Sequence, residues 1–406
     1  MNEKWLLNVK LETESYTDED NYSYTRTKIF HLKIKEGKIV AIVDNEEEIN
    51  DSLEKVNMNK LLAVPSFKEM HNHLDKTYMG LGWSSCIPVK NLKERLALEA
   101  AELTELADST KERASKMINT LLSYGSTHIR THVNIDPYIG LKNLEGVMEA
   151  LDSFKGRVTA DIVAFPQHGL LRDNVPSLMR EAMRSGATMV GGLDPAGIDE
   201  TIEKSLYTTM DIASEFDADT DFHIHDVGHV GWYTIDKWLD IVEDANWQKK
   251  GAISHAFSIG DVPTEKAKSL ATRLKMNQVD IMSTIPLTHT LPPIDLLDQH
   301  GVNVHFGCDG FFDSWNPYGT GDVLEKATKF CEITGRKDEC SIAQSLKHIT
   351  GGITPLDEKG NYVWPKVNDA ADFVFVDAKS SAHMIARKIE RQAVMAKGSF
   401  VYGSVE

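Results

Sequence analysis

The sequence contains few cysteines and no long apolar segment. Its four cysteines among 406 residues, Cys86, Cys308, Cys331 and Cys340, form no disulfide framework. We therefore expect a reducing compartment instead of a disulfide-stapled secreted fold. No apolar run approaches the roughly 20 residues that cross a bilayer, and residues 1–15 become polar too early for a signal peptide. These absences predict a cytoplasmic protein without a membrane span.

Positive charge is also scarce. Lys and Arg number 44 against 61 Asp and Glu, which gives a formal net charge of −17. Such a surface repels phosphate backbones and anionic lipid headgroups. We therefore expect neither nucleic acid nor a membrane as partner, but a small-molecule substrate and further copies of the same chain.

The middle of the chain alternates short apolar segments with helical patterns. One helical pattern opens with a capping box from Ser109 to Glu112 and stops at Gly125. Eight consecutive units of this kind predict an α/β fold, a (β/α)8 TIM barrel. A doubly wound open sheet is the alternative, but no G-x-G-x-x-G follows a first strand. The first predicted strand ends at 70–73, and the others cover 127–133, 160–169, 187–195, 220–226, 251–257, 279–287 and 303–310.

Both ends of the chain have strand patterns without strong helices between them. Residues 1–65 contain several β-branched segments, and 371–378 and 391–403 resemble them. We therefore predict a small β-sandwich domain built from residues 1–65 and 361–406, with residues 66–360 forming the barrel.

Polar side chains stand at the predicted strand ends, where a barrel places its functional residues. His71 and His73 are two residues apart, so both imidazoles point to the same side of a strand. One histidine of the fifth strand and an aspartate of the eighth would complete a shell of three histidines and one carboxylate, which suits Zn²⁺ or Fe²⁺. The polar residues at strand ends are His71, His73, Gln167, Asp194, His223, His225, Asp226, His255 and Asp309.

Several other residues leave two interpretations open. Trp83 and Trp315 could stack on a planar ring or pack in the core, and Lys76 could bind substrate or pair with Asp75. Five further histidines have less direct expected roles. We expect His128 and His132 to pack or to support the ligands from behind. His229, His289 and His305 we expect to be structural or peripheral, although the loop that carries His289 could touch substrate.

Specific motifs resemble those of the amidohydrolase superfamily, and within it the cytosine deaminase group. The resemblance covers most of the chain and is closer still to the amidohydrolases of s-triazine breakdown. Its motifs are His-Leu-Asp-Lys at 73–76, Thr-His-Val at 131–133, Phe-Pro-Gln at 165–167, Gly-Gly-Leu-Asp-Pro at 191–195, Phe-His-Ile-His-Asp-Val-Gly at 222–228, Ser-His-Ala at 254–256, Phe-Gly-Cys-Asp at 306–309 and Phe-Asp-Ser-Trp at 312–315.

The resemblance implies a metal-dependent hydrolase of C–N bonds. One divalent ion, Zn²⁺ first and Fe²⁺ as the alternative, would be held by His71, His73, His223 and Asp309. Its bound hydroxide would release ammonia or an alkylamine from a pyrimidine- or triazine-like ring. His255, Asp309 and His225 are the expected proton-transfer residues, and Gln167, Lys76, Asp226 and Trp315 the expected substrate-binding residues.

Two departures from the cytosine deaminase pattern narrow the expected substrate, and the absence of one lysine narrows the expected number of metal ions. Asp226 stands where cytosine deaminases have a glutamate, and Gly310 replaces their second aspartate. Residues 190–194 contain no lysine to bridge two metals, so we expect a mononuclear site. The alternatives are a cytosine deaminase proper, a hydrolase of a cyclic amide, a pterin or an N-acyl compound, or an inactive scaffold, which the four retained ligands disfavour.

Overall fold

The computed structural model describes residues 3–404, which form sixteen strands, thirteen α-helices and one short 3₁₀ helix, Ala107–Ser109. The strands are β1 (Glu3–Thr17), β2 (Ser23–Lys35), β3 (Lys38–Asp44), β4 (Glu54–Asn57), β5 (Leu62–Pro65), β6 (Phe67–Asn72), β7 (Ser126–Asn134), β8 (Thr159–Phe165), β9 (Met189–Leu193), β10 (Asp219–Ile224), β11 (Gly251–His255), β12 (Val279–Ser283), β13 (Val304–Phe306), β14 (Phe373–Val376), β15 (Arg391–Ala396) and β16 (Ser399–Gly403). The helices are α1 (Leu92–Leu106), α2 (Thr110–Ser123), α3 (Lys142–Ser153), α4 (Val175–Ser185), α5 (Ile202–Phe216), α6 (Gly228–Asp244), α7 (Ser258–Asp261), α8 (Thr264–Asn277), α9 (Ile294–Gln299), α10 (Val323–Thr334), α11 (Glu339–Gln344), α12 (Lys347–Thr350) and α13 (Ser381–Arg387).

Strands β6 to β13 form one parallel sheet whose spatial order follows the chain. Each predicted barrel strand overlaps one of them, and most residues of these short strands are buried on both faces, as parallel strands usually are. The sheet returns on itself at the mouth, where the Asp309 N–H donates to the His71 carbonyl at 2.7 Å. The predicted (β/α)8 barrel is therefore confirmed.

A second sheet combines both ends of the chain. Its order is β16-β15-β14-β5-β1-β2-β3, with β4 paired to β1. Most of its pairs are antiparallel, while β1 runs parallel to β4 and β5. Leu6, Leu32, Phe373, Phe375 and Met395 contribute to its core. The predicted small β domain from both termini is thus confirmed, while the proposed boundaries at 65/66 and 360/361 remain a prediction.

Helix α1 lies outside the βα alternation, in the long connection between β6 and α2. Asn91 caps it by accepting a hydrogen bond from the Glu94 N–H at 3.0 Å. Its Leu96 packs with Phe165 and Leu193, which end β8 and β9, and with Ile198. Helix α1 therefore covers part of the carboxyl-terminal mouth of the barrel, where βα connections form active sites.

None of the helices between residues 3 and 404 combines the length and the apolarity needed to cross a bilayer.

Candidate metal centre and active site

A cavity of about 850 Å³ opens at the carboxyl-terminal ends of the barrel strands. Most of the predicted site residues line it, whereas His71 lies beneath its wall and Asp226 beside it. The predicted residues on the wall are His73, Lys76, Gln167, His223, His225, His255, Asp309 and Trp315.

The four predicted ligands converge at the base of this cavity. Asp309 Oδ1 lies 3.7 Å from His71 Nε2 and 3.4 Å from His73 Nε2. Ring nitrogens of His71, His223 and His255 also lie within 4.8 Å of one another. His255 therefore lies as close to the ligand cluster as the predicted ligands lie to each other.

The donor atoms of this cluster fit a metal ion. His71 Nε2 and both ring nitrogens of His223 and His255 are buried and make no hydrogen bond within residues 3–404. Burial without a partner is costly for a polar atom, so such groups call for a ligand. Imidazole nitrogens with one carboxylate are donors that suit Zn²⁺ or Fe²⁺.

Hydrogen bonds orient two of these imidazoles. The hydroxyl of Ser254 donates to Asp221 at 2.6 Å, and its oxygen lies 2.8 Å from His71 Nδ1. The Nδ1 of His73 lies 3.0 Å from the His132 carbonyl oxygen. Because Nδ1–H donates in both cases, the Nε2 lone pairs are left facing Asp309.

The support under His71 extends further into the barrel. Arg130 Nη1 donates to Asp221 Oδ2 at 3.0 Å, so the buried carboxylate is paired with a cation. Neither residue was predicted to belong to the site, although charged residues inside two buried barrel strands, β7 and β10, were a visible signal.

Burial keeps the central imidazoles neutral. It lowers the pKa of His132, His223 and His255 well below the usual value, and neighbouring histidines add to the effect. Burial alone would raise the pKa of Asp309, but the nearby imidazoles of His71, His73 and His255 hold that pKa well below the usual range. Neutral imidazole and ionised carboxylate are the forms that bind metal.

His225 has a carboxylate partner of its own. Its Nδ1 lies 2.8 Å from Asp194 Oδ2, and its backbone N–H donates to Asp194 Oδ1 at 2.6 Å. Although burial opposes the change, Asp194 raises the pKa of His225. The His225 and His255 rings lie 4.0 Å apart, so two imidazoles stand side by side on the cavity wall.

Lys76 pairs with Glu99 and Gln167, and its alternative partner Asp75 is engaged elsewhere. The Lys76 ammonium lies 3.1 Å from Glu99 Oε1 and donates to Gln167 Oε1. Asp75 Oδ2 instead accepts from the Asn134 N–H and from Asn143, both at 2.9 Å. Because lysine only donates, Gln167 turns its oxygen to Lys76 and keeps its amide NH₂ for another partner.

The two tryptophans have different positions. Trp315 lines the cavity, and its indole N–H donates to Glu99 Oε1 at 3.0 Å. Trp83 is 75% exposed, stacks on Phe312 and does not line the cavity. Of the two, only Trp315 can therefore form a wall of the site.

The Asp313 carboxyl group occupies the space next to Gly310, the position where cytosine deaminases have an aspartate. A Cβ on Gly310 would lie 2.2 Å from Asp313 Oδ2. Asp313 Oδ1 accepts from the backbone N–H groups of Trp315 and Asn316, both at 2.8 Å. Burial raises the pKa of Asp313 to about 7. Sequence reasoning missed this residue, whose carboxyl group fills the space that a side chain at 310 would need.

Asp226 lies behind His225. Burial, followed by the nearby Asp194, raises the pKa of its carboxyl group to about 6. Its Oδ2 is buried without a hydrogen-bond partner within residues 3–404. The carboxyl group therefore stands at the edge of the site and does not line the cavity.

The remaining histidines divide between the periphery and the site. His128 bonds to Thr159, His229 stacks on Trp232, and His305 lies near Asp280. His289 stacks on Phe257 and lines the cavity. His132 is buried against the cluster, with its ring 4.3 Å from that of His223.

Comparisons with known proteins agree with this geometry. The model of the amidohydrolase family matches residues 56–402. The uncharacterized protein YahJ of Escherichia coli K12 is 40% identical, with 99% of this chain and 88% of that protein covered. The structure of N-isopropylammelide isopropylaminohydrolase from Burkholderia multivorans superposes with a TM-score of 0.87 at 26% identity, covering 100% and 99% of the two chains. A 5-methylcytosine deaminase from Klebsiella pneumoniae liganded with 5-fluorocytosine shares the fold, with a TM-score of 0.79, 21% identity and coverage of 98% and 97%.

Proposed function

Because the chain belongs to the amidohydrolase family, and is thus a hydrolase of C–N bonds, we propose that it removes ammonia or an alkylamine from an amino-substituted nitrogen heterocycle. The observation that carries this proposal is the cluster of buried, unpartnered imidazole nitrogens around Asp309 at the base of the cavity. The names of two similar structures support the substrate class, since N-isopropylammelide and 5-methylcytosine are both such heterocycles.

In this proposal His71, His73, His223 and Asp309 hold one divalent ion, zinc first and ferrous iron as the alternative. Such an ion would activate a water molecule for attack and stabilise the negative charge that develops on the ring. A single ion is favoured because β9 and the residue that follows it, Asp194, contain no lysine that could bridge a second one.

Three residues handle protons in the proposed reaction. Asp309 accepts the proton of the attacking water, and His255 orients that water through a ring nitrogen and passes the proton on. His225 then delivers a proton to the leaving nitrogen. Its Nδ1 is bound to Asp194, which fixes the ring and leaves Nε2 for the substrate.

The opposite wall sets which edge of the ring is bound. Lys76 and the free amide NH₂ of Gln167 are donors, so they select ring carbonyl oxygens or unprotonated ring nitrogens. Trp315 offers an aromatic face to a planar ring. Asp313 lines the cavity and can accept from a ring N–H group, whereas Asp226 stands outside the cavity wall and would reach the ring only through an intervening group.

The test is an amine-release assay with zinc-loaded protein across aminopyrimidines, N-alkylamino-triazines and pterins. We expect release of ammonia or alkylamine from at least one ring, about one ion per chain by elemental analysis, and loss of both in His71→Ala. Hydrolysis of cyclic amides or N-acyl compounds alone would overturn the substrate class, and two tightly bound ions would overturn the mononuclear site. The expected homo-oligomer and cytoplasmic location stay predictions.

A further inference from the structure

Glu99 links two parts of the cavity wall that are far apart in the sequence. Its Oε1 lies 3.1 Å from the Lys76 ammonium and 3.0 Å from the Trp315 indole nitrogen. Lys76 follows β6, Trp315 follows β13, and Glu99 itself comes from α1, which lies across the mouth. One carboxylate oxygen therefore ties three separate segments together.

The Glu99 carboxylate is buried, and Lys76 and Trp315 are the groups that contact its Oε1. The residue is 2% exposed. Its second oxygen makes no hydrogen bond within residues 3–404 and lies 3.7 Å from His168 Nε2. His168 is itself turned to the Leu96 carbonyl oxygen at 3.2 Å and lies 3.5 Å from Asp136.

A buried ion pair of this kind is a weak means of stabilising a fold. Removing two charges from water costs free energy that apolar side chains of similar volume would not incur. The pair does, however, restrict the geometry of both partners. Lysine has a long flexible stem, and fixing its ammonium before a ligand arrives avoids part of the ordering cost of binding.

We propose that Glu99 is a positioning residue that holds Lys76 and Trp315 in place for ring recognition. The proposal rests on the proposed function in one respect, that Lys76 and Trp315 contact the heterocycle. Glu99 holds the Lys76 ammonium next to Gln167 and accepts a hydrogen bond from the Trp315 indole N–H. A ring that carries oxo groups would then bind to an ammonium already in position, beside an aromatic face.

The test measures the binding of cyanuric acid to zinc-loaded protein by calorimetry, which requires no turnover. Glu99→Gln keeps the side-chain volume and an acceptor for Trp315 but removes the charge. We expect its Kd to rise about 10-fold, the effect of losing one charged hydrogen bond. Lys76→Met should also weaken binding, and the double variant should bind no more weakly than Lys76→Met alone, because Glu99 acts through Lys76.

Two further variants separate positioning from folding. Glu105→Gln changes an exposed glutamate of the same helix and should leave Kd unchanged. Glu99→Asp retains the charge and should bind more tightly than Glu99→Gln, and this comparison decides the matter if Glu99→Gln does not fold. Melting temperature and zinc content are recorded for every variant.

A kinetic test becomes possible with any substrate that the protein hydrolyses. For that substrate, KM should rise in Glu99→Gln while kcat changes less than about 3-fold, since a residue remote from the reacting bond affects binding more than chemistry.

An unchanged Kd in Glu99→Gln, fully additive effects in the double variant, or no binding of cyanuric acid by the wild-type protein would each overturn the proposal. Failure of the proposed function would look different. The amine-release assay would then be negative, while the binding pattern of the five variants would stay intact.

Discussion

Ser254 connects His71 to a buried carboxylate. Its oxygen lies 2.8 Å from His71 Nδ1, and its hydroxyl donates to Asp221 at 2.6 Å. Metal-binding histidines usually donate their second N–H to a carboxylate, a carbonyl or a water. Here Ser254 lies between His71 and the Asp221 carboxylate, and Arg130 donates a hydrogen bond to the other oxygen of that carboxylate.

Removing the relay should weaken metal binding without removing a ligand. In Ser254→Ala, we expect zinc affinity to fall about 10- to 100-fold, the usual effect of losing a partner that orients a ligand. Competition with a chromophoric chelator measures it. Ser283→Ala removes a buried hydroxyl at the end of the neighbouring strand β12 and should leave the affinity unchanged. Equal affinities in all three proteins would contradict a role for Ser254.

His255 should be needed for turnover but not for holding the ion. In His255→Asn we expect kcat to fall by about 10²- to 10⁴-fold, the range for a positioned acid or base, with zinc content retained. Elemental analysis and kinetics on the same preparation measure both.

The matched control for His255 is His289→Asn, which changes a cavity-wall histidine stacked on Phe257 and should keep most activity. Because ring nitrogens of His255, His71 and His223 lie within 4.8 Å of one another, metal loss in His255→Asn would make His255 a ligand. A fully active, metal-loaded variant would instead remove it from proton transfer.

Cytosine should be a poor substrate. Gly310 and Asp226 replace side chains that the cytosine deaminase group uses, and Asp313 occupies the space beside position 310. We expect kcat/KM for cytosine below about 10⁴ M⁻¹s⁻¹, the lower end of the usual range for enzymes. Gly310→Asp should not raise it, since the new Cβ would collide with the Asp313 carboxyl group. Ammonia release from cytosine above that value in either protein would contradict the prediction.

A pH-dependent contribution to stability should come from the β domain. Glu12 is buried and accepts hydrogen bonds from the Ser381 N–H at 2.5 Å and its hydroxyl at 3.1 Å. Burial raises its pKa from 4.5 to about 7. Between these values the folded chain keeps a proton that the unfolded chain has lost, so stability falls as pH rises from 4.5 to about 7.

The size of this effect has an upper limit of about 3 kcal/mol, from 1.36 kcal/mol per pKa unit. Urea unfolding at pH 5 and pH 8 measures it in the wild-type protein and in Glu12→Gln, which cannot titrate. The difference in free energy of unfolding, wild type minus Glu12→Gln, should be smaller at pH 8 than at pH 5. Glu14→Gln changes a half-exposed glutamate of the same strand that pairs with Arg26, and it controls for the loss of a carboxylate that is not buried.

The barrel could be predicted from the sequence because its signals are local. Short buried segments alternate with helical patterns along the chain, and paired histidines such as His71 and His73 fall on one face of a strand through simple alternation. The convergence of His223 and Asp309 then follows from barrel topology, which brings all the carboxyl ends of its strands to one mouth.

The supporting contacts could not be predicted in the same way, since they depend on residues that are distant in sequence. Nothing local to Glu99 shows that Lys76 and Trp315 meet it, and nothing local to Ser254 indicates Asp221 as its partner. Asp313 was missed for a related reason: a sharp turn, not a regular element, brings its carboxyl group onto Gly310.

The bond between the Asp309 N–H and the His71 carbonyl also bears on the order in which the chain matures. It joins the first barrel strand to the residues just after the last one, so the proposed ligand set is incomplete until nearly the whole barrel has been synthesised. A contact so distant in sequence must close a long loop, which slows its formation. An ion bound by all four proposed ligands would therefore indicate that the barrel has closed. A chain that ends before Asp309 would lack the carboxylate ligand.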